Sequence, residues 1–296
     1  MTTPKKPAAA PRPSTRAAEK KALLIEALSY IGKFRGQIVV IKYGGAAMVD
    51  EAIKVTFSQD VVLLQSLGML PVVVHGGGPE VSRAMQAMGQ QAEFVEGLRV
   101  TSQESLRITE MVLSGTINKE IIAHINSHGG NGVGLSGKDG HLIKAAKMEQ
   151  VRGIDLGYVG RIVKVNPAIV RLLLREGFIP VISPIGLGDD GQTYNINADT
   201  AASRIAAALE AQKIIFMTDV DGVMEEGRLV STLTIPDTER LIAEGVIQGG
   251  MLPKVEAMLH CLRHGVRSAH VISGSDHHAV LAELFTDKGI GTVITG

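Results

Sequence analysis

The stretch VVIKYGGAAM, residues 39–48, runs from a β-branched apolar segment into a lysine, a tyrosine and a pair of glycines. Such an apolar run is a buried strand, so Lys42 stands at the carboxyl end of a strand whose interior has no place for a charge. About thirty residues on, PVVVHGGGPEV (71–81) repeats the arrangement with His75 and the glycines Gly76, Gly77 and Gly78. In a parallel sheet ligands gather at the carboxyl ends of the strands. Glycines followed by a helix start offer unobstructed N–H groups and a positive dipole end to an anion. Taken alone, Lys42 reads equally well as a lysine snorkelling from a glycine turn. Three consecutive glycines cost chain entropy that a plain turn does not require.

Outward from these turns, short β-branched runs alternate with helical patterns. The pattern predicts strands over 37–42, 71–75, 179–184, 213–218, 268–272 and 292–295. It predicts helices over 50–67, 79–88, 101–126, 166–176, 199–210, 237–245, 252–264 and 277–286. Thr101 with Glu104 has the form of a capping box, and Pro79 suits the first turn of its helix. Strands alternating with helices imply an α/β fold, a mainly parallel sheet covered on both faces. The glycine-rich middle, 128–165, reads as hairpins. The chain after the tail reads as one domain of two lobes, 35–190 and 191–296, with a soft boundary in LGDDGQ (187–192).

The bulk numbers exclude several classes. With 30 Lys and Arg against 30 Asp and Glu, nothing favours nucleic acid or an anionic membrane as partner. Cys261, the single cysteine, allows no internal disulfide and fits a reducing, cytoplasmic setting. No apolar stretch has membrane-spanning length. MTTPKKPAAAPRPST (1–15) has no apolar h-region and reads as a disordered tail; its lack of acids before Glu19 leaves an organellar address open. Residues 16–34 show helical spacing of Leu24, Leu28 and Ile31.

Other stretches carry two readings each. GVGLSG (132–137) matches G-x-G-x-x-G, but no strand pattern precedes it and no helix pattern follows, so it reads as a turn rather than a dinucleotide site. Arg99 suits bidentate carboxylate recognition or is a surface charge. Asn195, Asn197 and Asp199 alternate before an Ala-rich helix and share one side if extended, while capping explains one of them. Thr218, Asp219, Asp221 and Gly222 end a strand as ligand carboxylates or as an Asp-Gly turn. Lys254 lies in the first turns of a helix after Gly250 and Met251. His260, Cys261 and His264, and likewise His270, Asp276, His277 and His278, match no four-ligand metal set.

IKYGG, VHGGGPEV, EGLRVT, SGTINKE, GLSGKDG, YNINAD, TDVDGV and GGMLPKV occur in this order. From about Ile38 to Thr295 the chain thereby resembles the amino acid kinase family, and in motif order those members that act on N-acetyl-L-glutamate. The resemblance implies a three-layer α/β/α sandwich with an open central sheet, and transfer of a phosphoryl group from ATP, with Mg²⁺, to the substrate's side-chain carboxylate in the second step of arginine biosynthesis. Residue by residue, it implies that Lys42 and Lys254 flank the transferring phosphoryl and that Asp199 holds both lysines. Gly45 and Gly76–Gly78 would donate N–H groups; Arg99 and Asn195 would grip the α-carboxylate and acetamido group. Gly44, Gly45, Thr218, Asp219, Asp221, Gly222, Gly250 and Met251 would border ATP.

Arginine-inhibited members are similar to this chain in an N-terminal helix, here 16–34, that interlaces dimers into a hexamer, and in the tail HVISGSDHHAVLAELFTDKGIGT. That likeness implies arginine as inhibitor near Lys213, His270, Glu283 and Gly289; SGSDHH departs from the family pattern. A nitrogen-signalling protein is a further partner the likeness admits. Within enzymes the alternative is a related kinase acting on aspartate, glutamate, carbamate or a nucleoside monophosphate. Outside them it is a non-catalytic arginine sensor on the same fold. A carboxylate nucleophile is already ionised at neutral pH and needs no general base, so positive charge and positioning carry such a reaction.

Overall fold

In the computed structural model, which describes residues 34–286 and 289–296 and, before them, positions 21, 25, 28 and 32, the opening stretch forms β1 (Ile38–Tyr43). Val39, Ile41 and Tyr43 enter one apolar cluster and Val40 another, as a β-branched run buried on both faces requires. There follow α1 (Glu51–Ser66), β2 (Leu70–His75), α2 (Gly78–Ala87), α3 (Gln103–Glu110), α4 (Asn118–Ser127), β3 (Gly132–Ser136), β4 (Ile143–Lys147) and β5 (Gly160–Val165). Then come α5 (Ala168–Arg175), β6 (Ile179–Ser183), β7 (Ile185–Leu187), β8 (Thr193–Asn195), α6 (Ala198–Leu209), β9 (Lys213–Thr218) and β10 (Thr232–Thr234). The chain closes with α7 (Ile235–Ala243), α8 (Leu252–Arg263), β11 (Ser268–Ser273), α9 (Ala279–Phe285) and β12 (Thr292–Thr295).

Eight strands form one sheet in the order β10-β12-β11-β9-β1-β2-β6-β3. From β11 to β3 the neighbours are parallel; β12 turns antiparallel to β11 and carries β10 with it. One face is covered by α1, α2, α4 and α9, the other by α5, α6, α7 and α8. A second sheet, β8-β7-β4-β5, also packs on that other face. The α/β fold with a mainly parallel central sheet is as expected. The small sheet contains the hairpin β4–β5 that the middle segment foretold. No described helix is long and apolar enough to cross a membrane.

Three local expectations are corrected. GVGLSG is not a turn: Gly132–Ser136 is β3, parallel to β6 at the end of the sheet. Its glycine content hid the strand, but a side chain at Gly134 would take the place of the Asn118 and Ile122 side chains, so α4 packs close only because Cβ is absent. The helix expected over 101–126 spans 103–127 with a π-helical stretch, Met111–Ile117, between α3 and α4. Thr101 and Glu104 form no capping box. Ser102 caps α3, its side chain accepting from Ser105 N at 3.1 Å, while Thr101 is fully buried. A capping box does form at α7, between Thr234 and Asp237. The helix predicted over 16–34 lies outside the described residues except at 21, 25, 28, 32 and 34, which are helical.

Candidate active site

Lys42 leaves β1 on the same side as Val40 and so meets α6. A Cβ on Gly44 would stand 2.6 Å from Lys42 Nζ; a glycine here is what lets the ammonium turn back over the strand end. Asn197 caps α6 by accepting from Thr200 N at 2.9 Å, which sets Asp199 in its first turn. Asp199 Oδ1 lies 3.1 Å from Lys42 Nζ and Oδ2 lies 2.8 Å from Lys254 Nζ, the latter carried by the first turns of α8. The carboxylate and Lys42 side chains are each 9% exposed. Two ammonium groups share one carboxylate, so the cluster holds one positive charge in excess, a costly arrangement away from water unless an anion joins it.

Burial by itself raises the Asp199 carboxyl, but the charges and hydrogen bonds of Lys42 and Lys254 outweigh it and hold the group below the usual carboxylate range. A depressed folded-state pKa contributes stability that is complete above the unfolded value, about 3.9, and is lost as pH falls through the folded one. Urea-unfolding midpoints measured on descending from about pH 5 are therefore expected to fall less steeply in Asp199→Asn than in the wild type. Equal slopes would place the acid sensitivity elsewhere.

Lys42, Gly44, Gly45, Gly76–Gly78, Arg99, Asn195 and Asp199 line a single cleft. Arg99 is 7% exposed. Its guanidinium donates to Gly78 O and Ser82 Oγ, both at 2.8 Å, and stacks 4.7 Å from the Phe94 ring. No carboxylate of the described residues pairs with it, and burial alone pushes its pKa down. Asn195 Nδ2 donates to Thr101 Oγ1 at 3.3 Å, and that hydroxyl donates to Arg99 O at 2.7 Å. One buried threonine thus ties the two candidate substrate residues together. Thr101 escaped the sequence reading because its position suggested a cap.

Gly76 is a partial exception among the glycines. Its N–H is donated to Tyr43 O at 2.8 Å, so it is not available to a ligand as expected; Gly77 and Gly78 lead into α2 instead. Met48, Phe94, Thr109 and Leu113 also line the cleft, and no motif had singled them out.

The remaining candidates fall into two groups outside that lining. Thr218 ends β9 and accepts from Gly274 N at 2.7 Å, with Asp219 and Asp221 exposed after it. The Asp219 carboxylate stands where a Gly45 side chain would be, which joins this turn to the first glycine turn. Gly222 packs on Thr292, and Gly250 and Met251 form a short 3₁₀ turn ahead of Lys254. Lys213, His270, Glu283 and Gly289 come together elsewhere. Lys213 Nζ is 3.2 Å from His270 Nε2, and His270 Nδ1 is 2.6 Å from Glu283 Oε1. Glu283 Oε2 accepts from Ile290 N at 2.8 Å, Gly289 lies against the same carboxylate, and the Phe34 ring is 5.0 Å from Lys213 Nζ. Burial pushes both Lys213 and His270 down.

Residues 37–273 match the profile of the amino acid kinase family. The chain is 50% identical over 284 residues to the acetylglutamate kinase of Nitrosococcus oceani, covering 92% of this chain and 94% of that one. It is also 50% identical over 286 residues to the acetylglutamate kinase of Chromobacterium violaceum, covering 95% and 99%. Among solved structures, N-acetylglutamate synthase from Neisseria gonorrhoeae, complexed with coenzyme A and N-acetyl-glutamate, superposes with a TM-score of 0.84 at 27% identity. That match takes in 93% of this chain and 63% of the longer synthase chain.

Proposed function

This chain belongs to the amino acid kinase family, and from that membership we propose that it transfers the γ-phosphoryl group of ATP to the side-chain carboxylate of N-acetyl-L-glutamate. The product is an acyl phosphate, N-acetyl-L-glutamyl 5-phosphate, and the step is the second of arginine biosynthesis. The observation that carries this reading is Arg99, a buried guanidinium with no carboxylate partner among the described residues, lining the same cleft as Lys42 and Asp199, whose carboxylate also holds Lys254. The pair suits a substrate with one carboxylate to be held and another to be phosphorylated. Arg99 and Asn195 take the α-carboxylate and the acetamido group. Lys42 and Lys254 neutralise charge on the transferring phosphoryl, and Asp199 keeps both in place. Bringing two anions together is the barrier, so preorganised positive charge supplies most of the acceleration.

The 35–190 lobe holds the acetylated amino acid, with Asn195 contributed by the other lobe, and the 191–296 lobe holds the nucleotide, with Thr218–Gly222 and Gly250–Met251 bordering ATP. Mg²⁺ enters as MgATP. Among the described residues no three His, Cys, Asp or Glu side chains gather into a metal site, and Asp199 is engaged by two lysines, so the ion would be held through the nucleotide's phosphates, whose charge it would neutralise. A buried cysteine fits a cytoplasmic, reducing setting.

Trapping the product as a hydroxamate tests the reading. Turnover is expected with MgATP and N-acetylglutamate and not with glutamate, aspartate or carbamate. Turnover with one of those acceptors, or release of ADP from ATP with a nucleoside monophosphate, keeps the fold and reassigns the substrate; arginine binding without any turnover identifies a sensor.

Feedback inhibition by arginine at Lys213, His270, Glu283 and Gly289 is part of the same proposal, as is assembly of dimers into a hexamer through helix 16–34. Glu283 is chemically suited to a guanidinium, and Ile25 and Leu28 of that helix are exposed on the isolated chain. A signalling-protein partner would dock on the assembled ring. Deleting residues 1–34 is expected to abolish arginine inhibition and reduce the assembly to dimers by light scattering. Persistence of both refutes the role of the helix.

A further inference from the structure

His75 ends β2 at the first of the three glycines and is fully buried, yet it holds no charge partner among the described residues. Its Nδ1 lies 2.8 Å from Gly76 O and its Nε2 lies 3.2 Å from Asn118 Nδ2. A carbonyl oxygen only accepts, so Nδ1 carries the hydrogen and Nε2 the lone pair. The Asn118 side chain is oriented consistently: its amide nitrogen also donates to Val181 O at 3.0 Å, and its oxygen accepts from Lys119 Nζ at 3.2 Å. A chain of donors therefore runs from Lys119 through Asn118 and His75 to the Gly76 carbonyl.

The Gly76–Gly77 peptide is trans, so its C=O and N–H point in opposite directions. Drawing the Gly76 carbonyl toward His75 turns the Gly77 N–H away from it. Gly77 has φ +147°, a conformation that L side chains rarely adopt, and a Cβ there would overlap Ile117 and come 2.9 Å from Leu113. Both belong to the π-helical stretch that delivers Asn118 to His75. We propose that His75, as its Nδ1–H tautomer fixed by Asn118, is a positioning residue that aims the Gly77 N–H into the cleft at the anion in transfer. The proposal rests on the reading of the cleft as a phosphoryl-transfer site. It goes beyond the glycines themselves by naming the residues that set their peptide plane. Burial holds the His75 imidazole down to about 4, with Lys119 reinforcing it, so the ring is neutral over the range in which an enzyme of this kind is assayed.

The experiment compares His75→Leu with His75→Asn. Leucine fills the space without a donor, whereas the asparagine amide reaches the same carbonyl. His75→Leu is expected to lose kcat on the order of 10²-fold, the effect of one preorganised donor, with KM for both substrates nearly unchanged. His75→Asn is expected to recover at least about tenfold of that loss. Turnover is referred to folded protein, and the long-range ¹H–¹⁵N spectrum of histidine-labelled wild type is expected to show Nδ1 protonated at His75. A wild-type kcat in His75→Leu, a loss confined to KM, or no recovery in His75→Asn overturns the proposal. An Nε2–H tautomer overturns it too, even where His75→Leu does not fold. Absence of wild-type turnover with N-acetylglutamate overturns the reaction assigned to the cleft and leaves the tautomer measurement to decide the geometry.

Discussion

Replacing Lys42 by alanine is expected to lower kcat on the order of 10³-fold, at the upper end of the range for deleting one preorganised donor, while the protein keeps its fold. The two halves of that expectation have different sources. Lys42 is held by Asp199 rather than by the sheet, and its removal leaves Asp199 paired with Lys254 at 2.8 Å, so no carboxylate is stranded. The strand around it is secured by Val39, Val40 and Ile41, all fully buried. Catalysis has no such redundancy, since a single remaining ammonium, neutralised by Asp199, presents no excess positive charge to the phosphoryl group. Circular dichroism and hydroxamate formation on one preparation check both halves. Near-normal kcat in a folded Lys42→Ala protein would remove Lys42 from the chemistry.

The second large effect belongs to Arg99. In Arg99→Met, KM for N-acetylglutamate is expected to rise on the order of 10²-fold, equivalent to about 3 kcal/mol, with a smaller change in kcat and little in KM for ATP. The empty protein is expected to stay within about 1 kcal/mol of wild-type stability, because desolvating an unpaired guanidinium offsets the hydrogen bonds it makes. N-acetylglutamate, which stabilises the wild type by binding only the folded state, should then no longer raise the melting temperature of the variant. A variant that binds N-acetylglutamate as the wild type does would show that the carboxylate is held elsewhere, and the case for this substrate would go with it.

Much of this was legible from local pattern. β1, β2, β6, β9, β11 and β12 lie within about two residues of their predicted positions because each is a β-branched run bounded by turn residues, and burial on both faces demands that composition. β3 and β10 were not foreseen. Glycine lowers strand propensity wherever close packing requires it, so GVGLS looked like a turn until α4 was seen against it. The π-helical stretch has no local signature that separates it from the α-helix on either side. Site residues show the same division. Lys42, Gly77, Gly78 and Arg99 stand out as candidates by residue type at a strand end or ahead of a helix, whereas Thr101 and Asn118 meet their partners, Asn195 and His75, only across the fold.

Local pattern along the chain specifies six strands of the central sheet, the glycine turns and helices between them, the charge balance and the set of side chains able to meet an anion, since all of these depend on neighbours within a few residues. How that set is used depends on packing. It gave Asp199 to two lysines, one of them 55 residues away, and bound Asn195 to Thr101 across 94 residues. It spent the Gly76 N–H on Tyr43 and left Arg99 without a counter-charge among the described residues. Hydrogen-bond supply, burial and excess charge are properties of what packs together, and no spacing along the chain encodes which distant group arrives to satisfy them.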